Sequence, residues 1–241
     1  MKEEFKRQAM LFGEDAMENL KNSYVALFGV GGVGSYAAEA LARSGVGKIL
    51  LVDADTVSRS NINRQLCALQ STVGQFKVDV TATRLLDINP ELTVEMRRDF
   101  VLPDNIDTFD FESFDYVIDA IDTVSAKIAI AERCAAANTP LISSMGTGNK
   151  QDPTALEVTD ISKTNTCPLA RVMRRELKKR GIVHLRVVYS REEAMTPIIT
   201  EISENKKAVP GSLAFVPSVA GLIAASEAVK FLIKKEDAHN G

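Results

Sequence analysis

Val25-Ala26-Leu27-Phe28-Gly29-Val30-Gly31-Gly32-Val33-Gly34-Ser35 is an apolar run that stops abruptly in four glycines, and Ala37-Ala38-Glu39-Ala40-Leu41-Ala42-Arg43 follows it. The second segment is rich in strong helix formers, so the order is strand, tight turn, helix. Gly29 permits the turn, Gly31 and Gly32 let the backbone approach a ligand, and Gly34 lets helix pack on strand. The free N–H groups at the positive end of that helix face an anion, and a phosphate suits them. Asp53 and Asp55 close the next apolar run, Ile49-Leu50-Leu51-Val52. They stand about 20 residues beyond the glycines, where an acid hydrogen-bonds ribose hydroxyls. A nucleotide with a free ribose is therefore expected. The same glycines and Asp53 would also suit an NAD-dependent oxidoreductase.

The pattern repeats outward from this stretch. Val25–Val30 and Ile49–Val52 are short β-rich runs separated by a helix, the βαβ signature of a parallel sheet. A helix is expected over about 75–87, strands at Thr93–Arg97 and Tyr116–Ile118, a helix from Lys127 to Asn138 and a strand at Leu141–Ser144. The acidic stretch through Asp104, Asp107, Asp110, Glu112 and Asp115 reads as a solvated connection. Residues 8–22 read as one amphipathic helical lead-in, with Leu11, Met17 and Leu20 near helical spacing. Past Gly146 the pattern loosens: a strand at Ala155–Val158, a basic helix near Leu169–Arg180, a β-rich run Val183–Tyr189, a flexible loop over Pro197–Pro210 and a closing helix Ala220–Lys234. The expected fold is a Rossmann-like, doubly wound, mostly parallel α/β sheet in one domain, with a nucleotide-binding βα core (1–145) and an elaborated C-terminal half (146–241). In such sheets ligands sit at the carboxyl ends of the strands, where Asp53, Asp119 and Asp122 fall.

Composition narrows the classes. With 241 residues, the chain can bury a full α/β core. Its formal charge of −3 excludes the globally basic profile of many nucleic-acid binders. From Lys163 to Arg191, however, nine Lys and Arg face the single acid Glu176, which marks a local basic surface. Cys67, Cys134 and Cys167 are far apart and form no CxxC pair, so neither a four-cysteine zinc site nor an even disulfide set is expected. The charged Met1-Lys2-Glu3-Glu4-Phe5-Lys6-Arg7 has no apolar stretch before a cleavage site, and a reducing cytoplasm is the expected location. Leu213–Ile233 is the longest apolar region, but Pro217, Glu227 and Lys230 interrupt it, so a buried helix is expected and not a membrane span. His184 and His239 are isolated and suggest no ligand pair.

Further markers lie between these elements: Asn61-Ile62-Asn63-Arg64-Gln65, Gly74-Gln75-Phe76-Lys77-Val78 and Asp119-Ala120-Ile121-Asp122. Singly, Lys77 would be a solvated helix side chain, Arg64 a cap or surface ion pair, and Asp122 a helix N-cap. Together with the glycine segment and the acid pair, in this order, they resemble the ubiquitin-activating-enzyme-like superfamily of adenylating enzymes. Ser144-Met145-Gly146, Lys150-Gln151-Asp152-Pro153-Thr154, Cys167-Pro168-Leu169 and Phe215-Val216-Pro217-Ser218-Val219-Ala220-Gly221 further resemble one of its branches, the tRNA threonylcarbamoyladenosine dehydratases.

The resemblance implies ATP-dependent activation of a carboxylate, a transfer that needs charge neutralisation and alignment more than covalent help. It implies that Arg64 and Lys77 neutralise the phosphates, Asp122 holds Mg2+, Asp53 fixes the ribose with Asp55 also in the nucleotide site, Asn61 and Gln65 brace the phosphate loop, and Gly29, Gly31, Gly32 and Gly34 admit the nucleotide. Arg7 occupies the place of an N-terminal arginine that reaches the triphosphate of a neighbouring protomer, which implies a homodimer. It further implies tRNA as partner, and leaves open a sulfur-transfer protein partner, a monovalent cation beside magnesium and a relay by Cys167. Arg171, Arg174, Arg175, Lys178 and Lys179 would then contact tRNA: on a helix Leu169, Met173 and Leu177 share one side, so several cations project outward. The alternative within the superfamily is an activator of a ubiquitin-like sulfur carrier.

Overall fold

The computed structural model describes residues 3–202 and 208–234. Seven strands, β1 (Tyr24–Phe28), β2 (Lys48–Val52), β3 (Thr93–Arg97), β4 (Tyr116–Asp119), β5 (Leu141–Ser144), β6 (Leu156–Asp160) and β7 (Arg186–Ser190), form one sheet in the order β3-β2-β1-β4-β5-β7-β6. All neighbours are parallel except β6, which runs antiparallel to β7 at the edge. The expected α/β fold is present, and strands from the C-terminal half extend the same sheet. Strand order reverses direction at β1, which pairs with β2 on one side and β4 on the other. The carboxyl ends of β1 and β4 therefore open a crevice between oppositely wound halves.

Among the described residues seven α-helices accompany the strands: α1 (Lys6–Phe12), α2 (Glu14–Lys21), α3 (Gly34–Arg43), α4 (Lys77–Ile88), α5 (Val124–Ala137), α6 (Pro168–Lys178) and α7 (Phe215–Leu232). Both faces of the sheet are covered, which explains why β1 reads as an unbroken apolar run. Val25 and Leu27 pack with α3, α4 and α7 residues on one face, and Ala26 and Phe28 with α5 and Phe109, Phe111 and Phe114 on the other. A third cluster joins α5 and α6 to β7 through Met173, Leu177, Val187 and Tyr189.

Several expectations need correction. The lead-in is two helices, because Gly13 (φ 85°, ψ 168°) takes a backbone conformation that breaks the run, and Leu11 is left exposed. The acidic connection is not merely solvated: Phe109, Phe111 and Phe114 bury under it against Phe28 and Tyr24. The closing helix begins at Phe215, since Pro217 lies in its first turn, where a missing N–H breaks no helical bond. It is long and apolar enough by length and composition to cross a membrane, yet its Val216, Ala220, Ala224, Ala228 and Leu232 lie in the core. Gly221 seats it: a Cβ there would lie 2.2 Å from the Val33 carbonyl oxygen. Of the expected loop over 197–210, residues 203–207 lie outside the described residues, as does His239.

Candidate active site

A cleft of about 480 Å3 opens at the carboxyl ends of β1, β2, β4 and β5. Gly29 ends β1 at φ 89°, donating its N–H to Val52 O at 2.8 Å. A side chain there would meet Ala120 O at 2.8 Å, and one on Gly34 would fall 1.8 Å from Gly29 O. The turn thus closes on its own backbone, and α3 starts with its N-terminus toward the cleft, which Gly31 and Gly32 line.

Asp53 braces this loop. Its Oδ2 accepts the Val30 N–H at 2.7 Å and its Oδ1 the Asp55 N–H at 2.9 Å. Burial raises its carboxyl above the usual range, opposed by the nearby Lys77 charge. A carboxylate retains further lone pairs, so this bracing leaves capacity for ligand hydroxyls at the rim. Lys77, the first residue of α4, is buried, and its Nζ lies 2.7 Å from the half-exposed Asp55 carboxylate. Asp55 is thus Lys77's ion-pair partner as well as a cleft-lining acid.

Arg64 lies across the cleft, with Nη1 donating to Ser60 O at 2.8 Å and Asn63 Oδ1 at 3.0 Å. Asn61 caps its own turn, its Oδ1 accepting the Ser58 N–H at 3.1 Å, and its carbonyl accepts the Arg64 and Gln65 N–H groups. Gln65 is buried beside Gly31, and its Oε1 has no hydrogen-bond partner among the described residues. A buried acceptor without a donor is costly, so this one suits a ligand or water that donates to it. Asp122 stands exposed beyond β4 and lines the cleft, while Thr123 and not Asp122 holds the N-cap position of α5.

The cleft therefore brings together Gly31, Gly32, Asp53, Asp55, Asn61, Arg64, Gln65, Lys77 and Asp122. Arg7 is apart from them, lining an apolar groove with Met10, Leu11, Leu222 and Val229. The motifs did not point to Asp99 or Phe100, which line the cleft from the loop after β3; Phe100 is 68% exposed. An aromatic placed directly beyond a strand's carboxyl end was the available signal.

The basic helix is only partly as expected. Ala170, Met173 and Leu177 are buried, whereas Leu169 lines the cleft. Arg174 does not project outward: its Nη1 donates to Thr164 O and Oγ1 at 2.7 Å each and to Ile161 O at 3.3 Å. Arg175 and Lys179 both pair with Glu176, at 3.1 and 2.8 Å. Arg171 and Lys178 are exposed. Cys167 is buried at the start of α6, its Sγ 3.9 Å from where a Gly146 Cβ would sit.

The fold and cleft define a nucleotide-binding α/β protein whose phosphate loop opens at the switch point of its sheet. Residues 5–241 match the ThiF family, and the chain belongs to it. It is 48% identical to the tRNA threonylcarbamoyladenosine dehydratase of Bacillus subtilis (97% of this chain, 96% of that one) and 37% identical to that of Escherichia coli (97% and 95%). The crystal structure of the E. coli dehydratase TcdA in complex with ATP superposes with a TM-score of 0.87 at 38% identity, covering 96% of this chain and 94% of that one.

Proposed function

We propose that this chain uses ATP to adenylate the carboxylate of threonylcarbamoyladenosine in tRNA and promotes its cyclisation, a net dehydration. The carrying observation is the convergence of the glycine loop, Asp53, Arg64, Lys77 and Asp122 in one cleft of a chain nearly half identical, end to end, to a dehydratase named for that substrate. A carboxylate oxygen bonds to the α-phosphorus, the bond to the β-phosphate oxygen breaks, and pyrophosphate leaves. The neighbouring urea nitrogen then attacks the acyl carbon and loses its proton as AMP departs, so no enzyme thiol is required. Arg64, with its planar fork, and Lys77, a point charge, neutralise the phosphates, and Asp53 fixes the ribose. An NAD-dependent oxidoreductase gives Arg64, Lys77 and Asp122 no task.

Charge supports two further elements. Arg64 and Lys77 share the cleft with Asp53, Asp55, Asp99 and Asp122, so its own side chains leave it net negative. A polyanionic nucleotide needs more cations there. Among the described residues no three His, Cys, Asp or Glu converge on a metal. Mg2+ keeps several waters and is held by one or two carboxylates plus substrate phosphates, so the lone Asp122 fits it. Arg7 is the second source in this reading, supplied in trans by a homodimer, and the mostly exposed Met10 and Leu11 beside it support an interface there. Three free thiols accord with a reducing cytoplasm.

The test is incubation of the protein with ATP, Mg2+ and tRNA bearing threonylcarbamoyladenosine. The expected result is a nucleoside lighter by one water, with one AMP and one pyrophosphate released per turnover. Pyrophosphate exchange that ignores tRNA and depends on a carrier protein's C-terminus would overturn the reading in favour of a sulfur-carrier activator.

A further inference from the structure

Beneath the cleft floor lies a charged network that contacts no cleft space. Lys127 Nζ and Asp119 Oδ2 are 2.8 Å apart, with side chains 0% and 1% exposed. Ser143 on β5 donates to the same Oδ2 at 2.6 Å and accepts from Lys127 at 3.1 Å. Asp119 Oδ1 accepts the Ile121 N–H at 3.2 Å. Apolar side chains of similar volume commonly stabilise a core as well as a buried ion pair does, so stability alone gives no reason for ions here.

The network's geometry gives one. Asp119 ends β4, and its carboxylate bends the chain into the 120–123 turn that carries Asp122 into the cleft. Ala120 donates to Phe28 O at 2.8 Å, and its carbonyl is the group against which Gly29 packs. The peptide held by Asp119 therefore also supports the glycine loop. Lys127, one turn into α5, ties the helix start to the ends of β4 and β5. We infer that Lys127, acting with Asp119 and Ser143, is a positioning residue that fixes the 120–123 turn, and hence Asp122, against the phosphate loop. The inference rests on the role of Asp122 given above.

The test uses the full-length double variant Asp119→Asn/Lys127→Met, which removes both charges and leaves no ion buried alone. Outer-shell partners of a metal ligand typically contribute 10–100-fold to affinity or activity. The expected result is Mn2+ affinity of the ATP-bound protein, read from the free-ion paramagnetic signal, weakened about tenfold or more. kcat falls with it, while KM for tRNA and the melting temperature stay near wild type. Lys127→Arg, which keeps the charge, retains most of both. A folded double variant with wild-type Mn2+ affinity and kcat overturns the inference. Should the double variant not fold, Ser143→Ala decides: weaker Mn2+ binding supports the network and unchanged binding refutes it. Asp122→Asn separates the two readings. If it behaves as wild type, the role of Asp122 fails; if it is inactive beside a wild-type-like double variant, the network alone fails.

Discussion

Arg174 offers the sharpest test of how the basic helix divides its labour. Its one Nη1 serves Thr164 O, Thr164 Oγ1 and Ile161 O, pinning the turn before α6 onto that helix. Thr164 is buried, so Arg174→Ala leaves shielded acceptors without a donor. Charge-assisted bonds contribute about 1.5–3 kcal/mol and an orphaned buried group costs about 1–3 kcal/mol, overlapping quantities that set the loss at about 2–3 kcal/mol. For a domain of this size each kcal/mol moves the melting temperature by about 2–4 °C, so a fall of roughly 4–12 °C follows. Arg171→Ala, at an exposed position, is expected to stay within about 0.5 kcal/mol of wild type. Binding to tRNA should show the reverse order: for each phosphate contact removed, the slope of log K against log salt falls by about 0.7–0.9, so Arg171→Ala flattens it and Arg174→Ala does not. Differential scanning fluorimetry and filter binding across a salt series measure both quantities. An Arg174→Ala protein that melts like wild type yet binds tRNA with a flatter salt dependence would refute the assignment.

Other substitutions follow from the same geometry. Gly34→Ala would place a Cβ 1.8 Å from the Gly29 carbonyl, against backbone that cannot yield, so ATP binding by calorimetry should be lost; retained affinity would mean that the loop is freer than described. Lys77→Ala should lower tRNA-dependent pyrophosphate exchange by about 10²–10³-fold, the usual effect of deleting one charge-stabilising group, and an undiminished rate would remove Lys77 from catalysis. At Glu227 burial raises the carboxyl, but hydrogen bonds from Arg186 and Lys230 outweigh it and hold the group below its usual range. A depressed carboxylate stabilises the fold above its unfolded value, about 4.3, and loses that contribution as pH falls through the folded one. The melting curves of wild type and Glu227→Gln should therefore differ most near neutrality and converge in acid; a gap that persists at low pH would contradict the ion-pair account.

What could be read from the residues was what local rules govern. The strands at Thr93–Arg97 and Leu141–Ser144 lie where the sequence pattern puts them, because β-rich runs between turn signals have little alternative, at the exposed edge as in the buried centre. The cleft was legible for a related reason. A parallel sheet delivers its strand ends to one edge, so Asp53, Asp119 and Asp122 had to arrive near the glycine turn wherever the intervening helices packed. The misses have two sources. Gly13, followed by Glu14 and Asp15, was a local break signal that the spacing of Leu11, Met17 and Leu20 concealed, whereas the acids around Phe109, Phe111 and Phe114 masked apolar side chains whose burial depends on the distant Phe28 and α5.

Charge is where sequence reading is weakest, because a count of ions carries no information about their partners. In the sequence Arg174 reads as an outward cation for tRNA and Lys127 as no more than the start of a helix. One is spent on carbonyls and the other on a carboxylate in the core, while Glu176 takes up two of the cations placed on the tRNA face. The same principle governs the cleft. Six charged side chains meet there, and the acids outnumber the bases. That excess is unfavourable for binding a triphosphate until cations arrive from outside the chain's own set. Under the proposed function those cations are the divalent ion and Arg7 of a second copy, and the expected outcome is weak ATP binding by calorimetry when the divalent ion is withheld; equally tight binding without it would contradict the charge argument.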